Sequence, residues 1–165
     1  MDFKINKAKW DVFLEITKLL NQRFDIRPIL YGSLGVQNII GEYVEVNDVD
    51  FMVESKYLTD QWPEFMAAIE SIGFKMIDEH EHEFVRDNIH IAFGNQDDFA
   101  MWQIDPQSFR ITKIESVEFR EVSAEQYIMF YQAKYSDQNR RQKKGAADDE
   151  KIRRLKNYLQ INEQS

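Results

Sequence analysis

The chain has 165 residues, a formal net charge of −8, 43% hydrophobic and 13% aromatic residues, and no cysteine. That much apolar side chain offsets the ordering entropy of one compact domain, which excludes intrinsic disorder; the missing thiols exclude disulfides, thiolate catalysis and cysteine-ligated zinc. The negative field repels nucleic acid and anionic lipid as main partners, and no apolar run reaches the roughly 18 residues that span a bilayer, so a cytoplasmic protein is expected.

Trp10, Phe13, Leu14, Ile16, Leu19, Leu20 and Phe24 recur at helical spacing and predict a first helix over 7–24. Pro28 is tolerable at the start of the short apolar strand that follows, and Gly32-Ser33 closes that strand. "SLGVQNII" then predicts a short helix with Ser33 as its cap and Gly41 as its stop. In "DVDFMVE" acids alternate with apolar residues, so Asp48 and Asp50 leave one face of a strand while Val49 and Phe51 leave the other.

Trp62, Phe65, Met66, Ile69 and Ile72 mark a second main helix from about Leu58, stopped by Gly73. "FKMIDEHEHEFVRDNIHIAFG" predicts two extended runs separated by a polar stretch, the second more buried because Ile89, Ile91 and Phe93 share a face. "FRITKIESVEFREV" adds one or two strands. Ser123, with Glu125 near it, caps a third helix carrying Tyr127, Ile128, Phe130 and Tyr131; a fourth packs Ile152, Leu155, Tyr158 and Leu159. This order predicts an α+β fold, a small mixed β-sheet flanked by helices with C-terminal helices. A doubly wound fold fits less well, for want of a G-x-G-x-x-G turn.

Aspartate is depleted in strands, so two same-facing acids among Val, Phe and Met call for a reason beyond sheet formation. A divalent cation supplies one, because hard metals take carboxylate oxygens and keep positions for phosphate oxygens. Gly32 lets the backbone approach a phosphate, and Ser33 with the helix N-terminus offers hydroxyl and amide donors. Together they describe a metal–phosphate site. The Lys and Arg residues between Arg140 and Lys156 read as a solvated helix face or as a local surface for a phosphate. In "DEHEHEF", His80 and His82 lack the helical His-Glu-x-x-His spacing of a zinc hydrolase, so a solvated loop or edge is expected.

"YGSLGVQNIIGEYVEVNDVDFMV" resembles the signature of the nucleotidyltransferase superfamily related to DNA polymerase beta: an apolar strand ending in Gly-Ser, a short helix and loop, then Asp-apolar-Asp on the next strand. The resemblance implies a nucleotidyltransferase-like core over residues 1–122 with a helical extension over 123–165 packed on it as one unit. It implies Mg2+ (or Mn2+) on Asp48 and Asp50, and a nucleoside triphosphate held by Gly32 and Ser33. An unidentified small molecule or protein would supply the acceptor hydroxyl that attacks the α-phosphorus. "KYSDQNRRQKKGAADDEKI" is similar to the family's C-terminal basic segment, which makes Lys134, Arg140, Arg141 and Lys144 candidates for contact with the triphosphate or acceptor. Asp148 and Asp149 are expected at the N-terminus of the last helix.

The resemblance also implies a third carboxylate on a neighbouring strand, where "NIHIAF" carries His90 instead. His90 is a candidate ligand or base, or else a partly exposed strand residue; Asp87, Asp97 and Asp98 are other acids to consider. Two functions therefore stand: transfer of a nucleotide to a hydroxyl, or a catalytically degenerate nucleotide-binding or protein-interaction module of the same fold. A plain structural domain with solvated acids is the third and last.

Overall fold

The computed structural model describes residues 6–163. One mixed sheet contains β1 (Ile29–Tyr31), β2 (Asp48–Val53), β3 (Lys75–Asp78), β4 (Glu83–Arg86), β5 (Ile89–Asn95), β6 (Arg110–Ile114) and β7 (Val117–Glu121), in the spatial order β3-β4-β5-β2-β1-β7-β6. Strands β1 and β2 are antiparallel, β2–β5 and β1–β7 are parallel, and β3–β4, β4–β5 and β6–β7 are antiparallel pairs. The helices are α1 (Lys7–Phe24), α2 (Gly32–Ile40), α3 (Ser55–Leu58), α4 (Trp62–Glu70), α5 (Ala124–Ala133) and α6 (Gln138–Glu163).

The two-residue period of the strands divides the interior. On one face Val49, Phe51 and Val53 of β2, Ile91 and Phe93 of β5 and Phe84 of β4 pack against Phe13, Ile16 and Leu20 of α1 and Phe65 and Ile69 of α4. Phe13, Phe51 and Phe93 form a stacked run there, with centroids 5.2 and 5.1 Å apart. On the other face Ile29 and Met52 join Tyr127, Phe130 and Tyr131 of α5 and Ile152 and Leu155 of α6. Each such side chain contributes about 1.5–3 kcal/mol on burial. Asp48 and Asp50 of β2, His90 of β5 and Glu83 of β4 leave the sheet on this same face, as the register of the three strands requires.

Several boundaries differ from expectation. Ser33 is not the cap of α2: Tyr31, in extended conformation, precedes the first helical residue Gly32, and no side chain caps that end. The strand passes straight into the helix through the positive φ of Gly32, leaving no loop from which Ser33 could cap. The helix expected from Leu58 is two elements, because Pro63 suits a first turn and α4 starts beside it at Trp62. The two runs between Phe74 and Gly94 are three strands, since Asp87 and Asn88, both at positive φ, form a two-residue turn between β4 and β5. The capping box of α5 pairs Ser123 with Gln126 rather than Glu125.

The start of α6 is the largest departure. Asp137 accepts a hydrogen bond from the Arg140 backbone N–H at 3.1 Å, and the helix begins at Gln138. Asp148 and Asp149 therefore lie in its interior, paired with Arg140 and Arg141, and not at its N-terminus.

Candidate functional site

The acids are gathered by strand register. Asp48 of β2 stands opposite His90 of β5, Asp50 opposite Ala92, and Ala92 in turn opposite Glu83 of β4. Residues paired across neighbouring strands share a face, so Asp48, Asp50, His90 and Glu83 project to the same side, with Ala92 as a small gap among them. One ligand atom from each of Asp48, Glu83 and His90 lies within 4.8 Å of the others, and His90 Nδ1 is 3.1 Å from Glu83 Oε1. Two carboxylates and an imidazole at that spacing are donors that a divalent cation accepts.

Asp50 sits deeper. A Cβ on Gly32, whose φ is +74°, would overlap Asp50 Oδ2, so only glycine lets the β1–α2 turn lie against this carboxylate. Burial, then the charge of Asp48, pushes the Asp50 carboxyl up to about 7. No hydrogen bond to the Asp50 carboxylate is formed within the described residues, and the charges of Lys144 and Lys134 act against the upward shift without cancelling it.

The approach to β2 is held rigidly. The buried Asn6 amide donates to Gln37 Oε1 and, at 2.8 Å, to the Val44 carbonyl, while the Val44 N–H donates to Gln37 Oε1 at 3.2 Å. These bonds satisfy polar groups that would otherwise be orphaned in the core, and they fix the loop from Gly41 into Asn47 just before Asp48.

A cleft of about 730 Å³ is lined by Gly32, Ser33, Asp48 and Asp50, by Lys134 at the end of α5, and by Arg140, Lys143, Lys144 and Lys151 of α6. Lys134 Nζ lies 5.7 Å from the centre of the Tyr31 ring and 5.3 Å from that of Tyr131, and Lys151 Nζ lies 5.5 Å from Tyr131. Burial, then the charge of Arg140, brings Lys134 down to about 8, and burial also lowers Lys151. Burial raises Tyr31 to about 12.

Of the residues singled out from sequence, Gly32, Ser33, Asp48, Asp50, Lys134, Arg140 and Lys144 share this cleft, and His90 joins Asp48 on the neighbouring strand. Arg141 turns to Asp149, at 3.0 Å, and does not line it. Among the other acids considered, Asp98 lines the cleft, Asp87 sits in the β4–β5 turn and the Asp97 N–H is bonded to Asn95 Oδ1. Glu83, Asp148 and Lys151 were not singled out for this site. Counting back from the Asp87-Asn88 turn would have placed Glu83 opposite Ala92; Asp148 pairs within α6 with Arg140, outside the i,i+3 and i,i+4 spacings that mark helical ion pairs, and Lys151 is placed by the packing of α6 on Tyr131 of α5.

No protein-family model matches the sequence. "Uncharacterized protein YnaI" of Bacillus subtilis (strain 168) is 29% identical over 151 residues, covering 91% of this chain and 97% of the relative. The crystal structure of ANT(2'')-Ia in complex with adenylyl-2''-tobramycin superposes with a TM-score of 0.65 at 14% identity, covering 92% of this chain and 90% of that one. The solution structure of the antibiotic-resistance factor ANT(2'')-Ia gives 0.63 at 16% identity, over 92% and 85%. An antigenic nucleotidyltransferase-like protein from Paracoccidioides brasiliensis gives 0.61 at 16% identity, over 88% and 73%. The fold is nucleotidyltransferase-like. In this nucleotidyltransferase-like chain the described residues hold an Asp–Glu–His cluster of metal-ligand chemistry, of which Asp48 lines the cleft, and no described helix is long and apolar enough to cross a membrane.

Proposed function

We propose that the cleft binds a nucleoside triphosphate with Mg2+ or Mn2+ and transfers its nucleoside monophosphate to a hydroxyl of a small molecule or protein. The observation that carries this reading is the joint lining of one cleft by Asp48 and Asp50 of β2 and by Lys134, Arg140, Lys144 and Lys151. Carboxylates alone would repel a triphosphate, and cations alone would not hold a metal. ANT(2'')-Ia, of similar fold, is described with adenylyl-2''-tobramycin, which supports the same class of chemistry here.

Asp48, Asp50 and Glu83 would hold the cation, which when bound neutralises phosphate oxygens. Gly32 and Ser33 approach a phosphate with backbone N–H and hydroxyl, and the cations of α5 and α6 draw the charge of the departing pyrophosphate. His90 donates Nδ1–H to Glu83 in the tautomer this contact favours, leaving Nε2 to accept the acceptor hydroxyl's proton. The acceptor oxygen then bonds the α-phosphorus as the bond to pyrophosphate breaks, and catalysis is mainly positioning and electrostatics.

A second reading, nucleotide binding without turnover, is favoured by His90 standing opposite Asp48 where the resemblance implies an acid. Incubating α-labelled ATP, GTP, CTP and UTP with magnesium, the protein and a cell extract separates the two. Transfer requires a metal-dependent labelled product that Asp48→Asn does not make. Bound label with neither product nor released pyrophosphate supports the second reading.

A further inference from the structure

Asp148 is the one charged side chain among the buried polar residues described, 1% exposed within α6. A buried carboxylate needs a partner, and Arg140 supplies two parallel hydrogen bonds, Nε to Oδ2 and Nη2 to Oδ1, each 2.9 Å. Arg140 lines the cleft, and its Nη1 makes no hydrogen bond within the described residues. Around the Tyr131 ring the ammonium groups of Lys134 and Lys151 converge at 5.3 and 5.5 Å, and no described carboxylate forms an ion pair with either of them. Three cations are thus held close together in a partly desolvated space, where they repel one another. Asp148 is the counter-charge: Arg140 depresses both lysines, and Asp148 acts in the opposite direction on both.

We infer that Asp148 is a positioning residue for the triphosphate, a buried carboxylate that fixes the Arg140 fork toward the cleft and holds Arg140, Lys134 and Lys151 together as one polyphosphate-binding group. The inference rests on the reading of the cleft as a triphosphate site. Bound polyphosphate meets a fork already oriented, so little side-chain entropy is lost on binding. Asp148 itself touches no substrate. Its effect passes through Arg140, and this separates it from an acid that only stabilises the helix.

Calorimetric titration with inorganic tripolyphosphate and magnesium, on wild type, Asp148→Asn, Arg140→Met and the double variant, tests this. Circular dichroism and melting of each unliganded variant accompany the titrations. Asp148→Asn should weaken tripolyphosphate by about ten-fold or more, as loss of a charge-assisted pair predicts. The double variant should bind as Arg140→Met does, because Asp148 has no route to the ligand once the guanidinium is gone. A folded Asp148→Asn with wild-type affinity, or losses that add in the double variant, overturns the inference. If Asp148→Asn fails to fold, the double variant, which removes both buried charges together, decides it: affinity equal to Arg140→Met supports the inference, and a further ten-fold loss overturns it. Wild type that binds no tripolyphosphate overturns the triphosphate reading itself, and the inference with it; wild-type binding that Asp148→Asn leaves unchanged overturns the inference alone.

Discussion

Gly32 and Asp50 are joined by a steric fact. The positive φ of Gly32 and the carboxylate against its Cα leave no space for a Cβ, so Gly32→Ala meets left-handed strain and a clash together. It should destabilise the protein by about 1–3 kcal/mol and weaken nucleotide binding, as denaturant titration and calorimetry would show; a variant equal to wild type in both contradicts the close approach. Asp50 also gives a pH signature. Its carboxyl stands at about 7 in the fold against an ordinary 3.8, so between these values the unfolded chain has released a proton that the folded chain keeps. Stability from this group is therefore fully present below about pH 4, falls as pH rises to about 7, and stays low above. In metal-free buffer Asp50→Asn should gain roughly 2–4 kcal/mol at pH 8 and almost nothing at pH 4, by urea denaturation at each pH. A gain independent of pH would contradict the buried, charge-crowded setting of Asp50. The two aspartates were legible in the sequence because acids inside an apolar strand are out of place; the depth of Asp50 relative to Asp48 was not, since it depends on α2 and α5 packing over the strand.

At the scale of elements, β4 brings the residue that sequence reading left in a solvated run. Glu83 reaches the cluster only because the turn at Asp87 and Asn88 sets the register of β4 on β5. Glu83→Gln, which removes a proposed ligand, and His90→Ala, which frees the Glu83 carboxylate that His90 orients, should each weaken Mn2+ binding by about ten-fold or more in an electron paramagnetic resonance titration, and an unaffected affinity in both would remove β4 and β5 from the proposed metal site. Helix α5 carries Lys134 at its C-terminal end, and its start is fixed by the reciprocal bonds of Ser123 and Gln126. Ser123→Ala should lower stability by about 1 kcal/mol and leave Mn2+ affinity unchanged, because the cap lies at the opposite end of the helix from the cleft. Helix periodicity made α1, α5 and the Ile152–Leu159 face readable, since each buries a regular stripe. The start of α6 was hidden: residues 138–147 carry almost no apolar stripe, and this part of the helix is held by pairs within α6 itself, Arg140–Asp148 and Arg141–Asp149.

For the whole molecule, a net charge of −8 sets an average field that repels polyanions, but average charge says nothing about where charge is placed. In the cleft the fold brings Asp48 and Asp50 of β2 together with Lys134 at the end of α5 and Arg140, Lys143, Lys144 and Lys151 of α6, so a molecule of negative net charge carries a local cluster of cations beside these acids. The α+β class and the mixed sheet followed from element order, while the strand order β3-β4-β5-β2-β1-β7-β6 did not, because the parallel pairing of β2 with β5 and of β1 with β7 is set by long crossovers. The proposed function assigns Asp48, Asp50 and the cations of the cleft to one metal–triphosphate site. Its most direct test is calorimetry of wild type and the Asp48→Ala/Asp50→Ala double variant with ATP, GTP, CTP and UTP, each with and without magnesium. Magnesium-dependent binding of at least one nucleotide by wild type and its loss in the folded double variant are expected; equal binding by both proteins would contradict the proposed site.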